Sequence, residues 1–479
     1  MSLGCITKIV SYELSRLSPY RENNIDEVVK MGTSNLVLTL VCVISFTCTH
    51  AKIGYFWHIT DFHYDPLYTS QGDTRRHCRR ADERGSSGHH RALGRFGDYS
   101  CDSSLELIES AARHMRTRHS ENVEFVLWTG DIIAARYDGD RYQAIRNMTD
   151  LLSRTFSSHF VFPVLGHLDP SPSENLTNLW MHWLPLEALQ TFKNGGYYTI
   201  EQSHSKLRIV ALNTNLFSLR EVNSAHARRQ WEWLDAVLDK AATNKEMVYI
   251  VGHAAPGSDS QHGYEMHPTD ANSKYLRTVR KYARIIAGQF FGHLHADTFR
   301  VIYDHDQPVS WALLAPSVSP HRDPSASSNP GLRLYKFDTN TGKVLDYTQY
   351  YVDLAAANRG GVAEWTAEYN LTQYYGLHDV SAHSFHNLAD KLRLGSPHET
   401  MVFNKYLRAY NVKHETSESC DGACAHQHFC AITCLEHLAY RQCVEAAASA
   451  LAAAGKSAPL IAPLINTLTT LFLFIHLLT

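Results

Sequence analysis

Short apolar runs and amphipathic stretches alternate along most of this chain. "YFWHIT" (55–60), "EFVLWTG" (124–130) and "FVFPVLG" (160–166) are apolar runs of strand length that close on Gly or a polar residue. Between them, "LELIESAARHMRTRH" and "RYQAIRNMTDLLSRTF" place apolar positions at the helical period. Apolar strands separated by amphipathic helices predict an α/β architecture with the helices outside. The pattern continues with "LRIVALN", the helix "RRQWEWLDAVLDKAA", "MVYIVG" and "IAGQFFG", then turns strand-rich in "TFRVIYD", "SWALLAP", "LRLYKFD" and "VLDYTQYYVD". From Gly376 to Cys443 it is helical. The expectation is a two-sheet β-sandwich flanked by helices, followed by a small helical C-terminal region. Trp231 and Trp233 fall on a helix and read as core. The Pro/Ser-rich stretch "SPHRDPSASSNPG" reads as a loop at the rim of a site.

Both ends read as addresses. "MGTSNLVLTLVCVISFTCTHAK", from Met31, has a short apolar core closed by small residues, so residues 1–51 are expected to be a leader with a signal peptide at 31–51 and a true start at Met31. Residues 446–479 pass from small residues through a spacer to an apolar tail, as in a glycosylphosphatidylinositol attachment signal that is removed. Between them, 52–375 is expected to be a catalytic domain and 376–445 the helical C-terminal region.

Composition narrows the class. A net charge of −3 speaks against a nucleic acid polymer as partner, and 29 histidines point to metal or proton chemistry. Beyond the leader stand seven cysteines, an odd set, which leaves one thiol spare. Cys78 and Cys101 would close one loop, while Cys420, Cys424, Cys430 and Cys443 would staple the C-terminal helices, leaving Cys434 without an assigned partner. A thiolate metal site is the rival reading of that cluster. Asn147, Asn175 and Asn370 each open an N-x-[ST] sequon and are candidate glycosylation sites in an exported chain.

The chemistry collects where strands end. "HITDFHYD" offers Asp61 and His63, "LWTGD" offers Asp131, "VLGHLD" offers His167 and Asp169, "YIVGH" offers His253, and "FFGHLH" offers His293 and His295. The i, i+2 spacing of the first and last pairs would put both side chains on one face of extended chain. A lone histidine after a strand is usually only a satisfied polar residue. A series of them at strand ends, where open α/β sheets place their sites, is harder to explain that way. Mixed carboxylates and imidazoles suit two divalent ions of the zinc, iron or manganese type, sharing an aspartate and clamping a phosphate ester.

In this order D-x-H, G-D, G-H-x-D, G-H and G-H-x-H resemble the calcineurin-like metallophosphoesterase pattern. "FWHITDFHYDPLY", "GQFFGHLHADTF" and "NPGLRLYKFD" are similar to the acid sphingomyelinase-like phosphodiesterases, over about residues 54–445. The resemblance implies the metallophosphoesterase type of sandwich and two metals, zinc by expectation. Asp61, His63, Asp131 and His295 would hold one, and Asp131, His167, His253 and His293 the other. It also exposes two departures. Where the family reads G-N-H-D, this chain reads Gly166-His167-Leu168-Asp169, and where the family carries another histidine after the bridging aspartate, this chain has Ala135, then Arg136. Both family acid positions therefore lack a titratable side chain. An acid relocated to His262, His267 or His321 would restore it.

The expected function is thus a secreted or cell-surface two-metal phosphodiesterase, tethered to the outer membrane leaflet by a lipid anchor. It would hydrolyse a phospholipid head group or a nucleotide-type phosphodiester, slowed by loss of the acid histidines. The alternatives are a degraded, metal-containing surface binding protein and a structural ectodomain.

Overall fold

The computed structural model describes residues 52–80, 92–118, 122–201, 206–323, 326–393, 396–415 and 420–456, with the side chains of 322, 323, 326 and 447–456 left aside. The leader and the chain beyond Lys456 lie outside the described residues; of the stretch expected to be an anchor signal, 446–456 continues the helix His437–Lys456, which crosses the expected boundary at 445.

The strands are β1 (Ile53–Ile59), β2 (Val123–Trp128), β3 (Phe160–Pro163), β4 (Tyr198–Glu201), β5 (Leu207–Ala211), β6 (Met247–Val251) and β7 (Ile286–Phe291), then β8 (Thr298–Asp304), β9 (Gln307–Leu314), β10 (His321–Asp323), β11 (Ala326–Ser327), β12 (Gly331–Asp338), β13 (Val344–Tyr351) and β14 (Thr366–Asn370). They form two six-stranded sheets, ordered β14-β13-β12-β1-β2-β3 and β4-β5-β6-β7-β9-β8, with β10 and β11 as a separate hairpin. That hairpin lies inside the stretch expected to be only a loop. β1, β2 and β3 are parallel neighbours, as are β5, β6 and β7. Each parallel trio follows from its sequence, because continuous apolar runs such as Val126-Leu127-Trp128 and Val248-Tyr249-Ile250-Val251 are buried on both faces.

Aromatic rings glue the sheets. Phe56 of β1 stacks on Phe125 and Tyr335 of its own sheet at 4.9 and 4.7 Å and meets Tyr249 and Phe290 of the other at 5.7 and 5.4 Å. The helices expected at 105–119, 141–156 and 228–242 form at Leu105–Thr117, Arg141–Thr155 and Ala225–Asn244. Ser104, Asp140 and Ser224 cap them by accepting from the amides of Leu107, Gln143 and Ala227. Trp231 stacks on Phe217 at 4.4 Å and Trp233 packs on Tyr197 at 4.7 Å, as core residues.

The C-terminal helices Ala382–Asp390 and Gly422–Thr433 pack against β8, the last strand of the second sheet. Disulfides join Cys420 to Cys424 and Cys430 to Cys443 there, and Cys78 to Cys101 near the first sheet. Cys434 is the spare thiol, half-buried.

Candidate metal centre

The loops that leave the carboxyl ends of the two parallel trios meet, His253 and His293 after β6 and β7 touching Thr129 and Asp61 after β2 and β1, and these loops are sharply bent. Asp61 and His63 follow β1 with φ of 51° and 44°; Asp131 follows β2 at 50°; His293 and His295 follow β7 at 70° and 52°. Left-handed backbone in residues with a Cβ costs ~1–3 kcal/mol each and persists only where the surroundings enforce it. Here they do: Asp61 and His63 donate their amides to the carbonyls of Gly130 and Asp131, both at 3.0 Å, and His293 donates to Asp61 Oδ2 at 2.9 Å. The extended-chain reading of the two i, i+2 pairs is therefore corrected. The pairs converge through left-handed turns beyond the strand ends, a feature that spacing alone does not reveal.

Two groups result. In one, Asp131 Oδ2 lies 2.8 Å from His167 Nδ1 and 3.2 Å from His253 Nε2, and His293 Nδ1 lies 3.1 Å from the same His253 nitrogen. In the other, His295 Nε2 lies 3.1 Å from His63 Nε2 and 3.2 Å from Asp61 Oδ1. Asp131 Oδ2 is also 3.7 Å from His63 Nε2, so one carboxylate oxygen sits between the groups. All seven candidate ligands are brought together.

These residues fit metal ions on the structure's own terms. Asp131 Oδ1 accepts from the Leu168 amide at 2.8 Å, and Asp61 Oδ2 accepts from Thr60 Oγ1 at 2.6 Å. The other oxygen of each, Asp131 Oδ2 and Asp61 Oδ1, is buried and has no hydrogen bond of good geometry. Buried carboxylate oxygens without donors are costly unless a cation serves them. His253 Nδ1 faces the Thr129 carbonyl at 2.8 Å and His295 Nδ1 faces the His321 carbonyl at 2.6 Å. That pattern puts the proton on Nδ1 and leaves the Nε2 lone pair pointing inward. Burial opposes a charge on His253, yet the Asp131 carboxylate overrides it and lifts the imidazole to about 9. The site demands positive charge, whether from protons or from metal.

His167, longer than the family's asparagine, still reaches Asp131 and leaves about half its side chain exposed. Leu168 contributes its backbone: the amide to Asp131 and the carbonyl to Arg141. Ala135 and Arg136 are exposed. Of the histidines considered for a relocated acid, His267 is buried against the Ala254 carbonyl and burial lowers it to about 4. His262 is paired with Asp259 at 2.8 Å, and His321 lies at the rim through its carbonyl.

Asp169 is the residue whose role differs most from the sequence reading. Its carboxylate accepts from the amides of Asp131, Ile132 and Gly166 at 2.8–2.9 Å, so it pins two loops rather than facing the centre. Gly166 is needed there, since a Cβ would stand 2.1 Å from Asp131 Oδ1. Sequence reasoning also missed Asp102, 3.3 Å from His63 Nδ1, and Asn215, whose amide donates to the Gly166 carbonyl at 2.8 Å. Asp102 directly follows Cys101, and only the fold of that loop brings it to His63.

Comparison with known proteins gives the same picture. Residues 54–297 match the calcineurin-like phosphoesterase family and 307–450 match the acid sphingomyelin phosphodiesterase C-terminal region. The chain is 36% identical to the cyclic GMP-AMP phosphodiesterase SMPDL3A of Bos taurus, over 82% of this chain and 91% of that one. It is 34% identical to the acid sphingomyelinase-like phosphodiesterase 3b of Homo sapiens, over 86% and 94%. With the sphingomyelin phosphodiesterase of Bos taurus it shares 30% identity over 78% of this chain and 63% of that one.

Proposed function

Since the chain belongs to the acid sphingomyelinase-like phosphodiesterases, hydrolases of the calcineurin-like phosphoesterase family, we propose that it works outside the cell as a two-metal phosphodiesterase whose turnover is limited by the lack of a proton donor. The relatives are named for cyclic GMP-AMP and for sphingomyelin, which frames the substrate as a nucleotide-type phosphodiester or a phospholipid head group.

The observation that carries the reading is the pair of buried carboxylate oxygens, Asp61 Oδ1 and Asp131 Oδ2, ringed by imidazole nitrogens and without a hydrogen bond of good geometry. Asp61, His63, Asp131 and His295 would hold one ion, and Asp131, His167, His253 and His293 the second. Zinc is the expected metal, because nitrogen-rich sites of this kind suit it. When bound, such a pair supplies Lewis-acid charge for the phosphoryl oxygens and a nucleophile from water near neutral pH. The chain's own part is orientation: the Thr129 and His321 carbonyls and Asp102 set the imidazoles, and Asp169 locks the loop that carries His167. Leu168 and Ala135 can neither give nor take a proton, so the leaving group departs without help from those positions. General acid catalysis is worth ~10²–10⁴-fold, which sets the scale of the expected handicap.

Elemental analysis after expression with zinc tests the two-metal part. About two ions per chain are expected, and fewer than one would overturn it. Leu168 and Ala135 also favour a second reading, a metal-holding surface binder; efficient cleavage of any plain phosphodiester would end it. Among the described residues, three disulfides and a single spare thiol support an oxidising, secretory compartment. Asn147, Asn175 and Asn370 are exposed, as carrier sites for glycans must be. Residues 1–51 as leader and 446–479 as anchor signal complete the proposal, with 52–375 catalytic and 376–445 a helical region stapled by disulfides. Release from cells by a phosphatidylinositol-specific phospholipase is the expected result for a lipid anchor.

A further inference from the structure

A groove of about 720 Å³ runs along the helix Pro397–Tyr410 and the turn after it, with Lys405, Arg408, Lys413 and His414 in its walls. Among the described residues, Glu415 is the one acidic residue lining it. The ion pairs of the surrounding chain join His386 and Arg393 to Asp390 and His437 to Glu265, and none among the described residues includes Lys405, Arg408 or Lys413. Their hydrogen-bond partners are neutral: Lys405 Nζ reaches the Tyr374 carbonyl at 3.5 Å, and Lys413 Nζ donates to Tyr351 Oη at 2.8 Å and sits 4.4 Å above its ring, while the nearby acid Glu368, which feels Lys413 and Arg408, is pushed up to about 8 by burial and so stays protonated near neutral pH. Such contacts orient the ammonium groups without cancelling their charge. The chain as a whole carries −3, so this is a local concentration against the overall sign.

The helix end accounts for part of it, because Arg408 in the last turn meets the negative pole of the helix. It does not account for Lys413, which lies beyond the helix. Val412 and Lys413 hold φ of 50° and 55°, an outlier conformation for a β-branched residue, and Val412 is fully buried. Asn329 Nδ2 donates to the Val412 carbonyl at 3.0 Å and fixes this turn. The β10–β11 hairpin links the groove to the candidate metal centre. His414 Nε2 meets Ser327 Oγ at 3.0 Å on β11, while the carbonyl of His321 on β10 accepts from His295.

We propose that this groove is a second phosphate-binding site, beside the rim of the metal centre, for a phosphate group other than the one being hydrolysed. Its position beside a catalytic rim rests on the function proposed above; its capacity to bind phosphate does not. The same chemistry is offered by a second phosphate of a soluble substrate and by an anionic lipid head group.

The test titrates pyrophosphate by calorimetry into the full chain expressed with zinc, as wild type, as Lys405→Gln/Arg408→Gln/Lys413→Gln, as Arg408→Gln alone and as His253→Ala. It is paired with sedimentation on phosphatidylcholine vesicles with and without phosphatidylserine. The expected result is a salt-sensitive site that His253→Ala retains and the triple variant weakens tenfold or more, with Arg408→Gln alone intermediate. Loss of binding to phosphatidylserine vesicles in the triple variant assigns the site to lipid, and wild-type indifference to those vesicles assigns it to soluble phosphates. Equal pyrophosphate and vesicle binding by wild type and triple variant overturns the proposal. Because binding is read without turnover, an inactive wild type would count against the proposed function and leave this result standing.

Discussion

Asp102 Oδ1 lies 3.3 Å from His63 Nδ1, on the side of the ring away from the Nε2 that meets His295 at 3.1 Å. A carboxylate behind a ligating imidazole fixes its tautomer and its aim, and removing such a partner costs 10–100-fold in metal affinity. Asp102→Asn is expected to weaken zinc binding by about that factor, measured by competition with a chromogenic chelator. Unchanged affinity would show that the contact is incidental.

Asp131 is the shared element, its Oδ2 lying 2.8 Å from His167, 3.2 Å from His253 and 3.7 Å from His63. Asp131→Asn should therefore disturb both ions. Metal content is expected to fall below one per chain and turnover by roughly 10³-fold, the scale of several kcal/mol of lost charge stabilisation. Retention of both metals would separate the two groups and remove the bridge.

Asp169 predicts a stability effect. Its carboxylate serves three backbone amides, and Asp169→Ala leaves them unserved. At ~1–3 kcal/mol for each buried donor left unmade, urea unfolding of metal-free protein should show a loss of at least about 3 kcal/mol. A loss under about 1 kcal/mol would mean that water takes over.

His267 makes stability depend on pH. Burial holds its folded pKa at about 4, below the usual 6.5. Between those values the unfolded chain binds a proton that the folded chain refuses, so stability falls as pH drops from 6.5 toward 4, by up to about 3 kcal/mol. His267→Gln, which keeps a donor for the Ala254 carbonyl, should flatten that part of the melting-temperature profile. An unchanged slope would assign the acid sensitivity to other groups.

The strands that build the site were legible because apolar runs such as 124–130 and 286–292 can only be buried, and their ends carried the ligand types in order. The short elements were not legible: β4 and the hairpin β10–β11 have too few residues to show a period, and tertiary contacts decide them. The left-handed turns at Asp61, His63, His293 and His295 could not be read either, since ligand spacing alone suggests extended chain. Asp169 looked like a ligand because a carboxylate beside a glycine loop serves either metal or backbone amides. Only the positions of the amides of Asp131, Ile132 and Gly166 decide between them.

The most direct test of the central claim is turnover per bound metal by the metal-loaded protein, wild type beside Leu168→His. One phosphodiester substrate should carry a nitrophenol leaving group and another an alcohol. The nitrophenyl ester needs little protonation, so wild type should cleave it, fail by ~10²–10⁴-fold on the alkyl ester, and regain much of that loss with the histidine. Efficient cleavage of both esters by wild type, with no gain from Leu168→His, would contradict the account, because a proton donor would then be present elsewhere in the site.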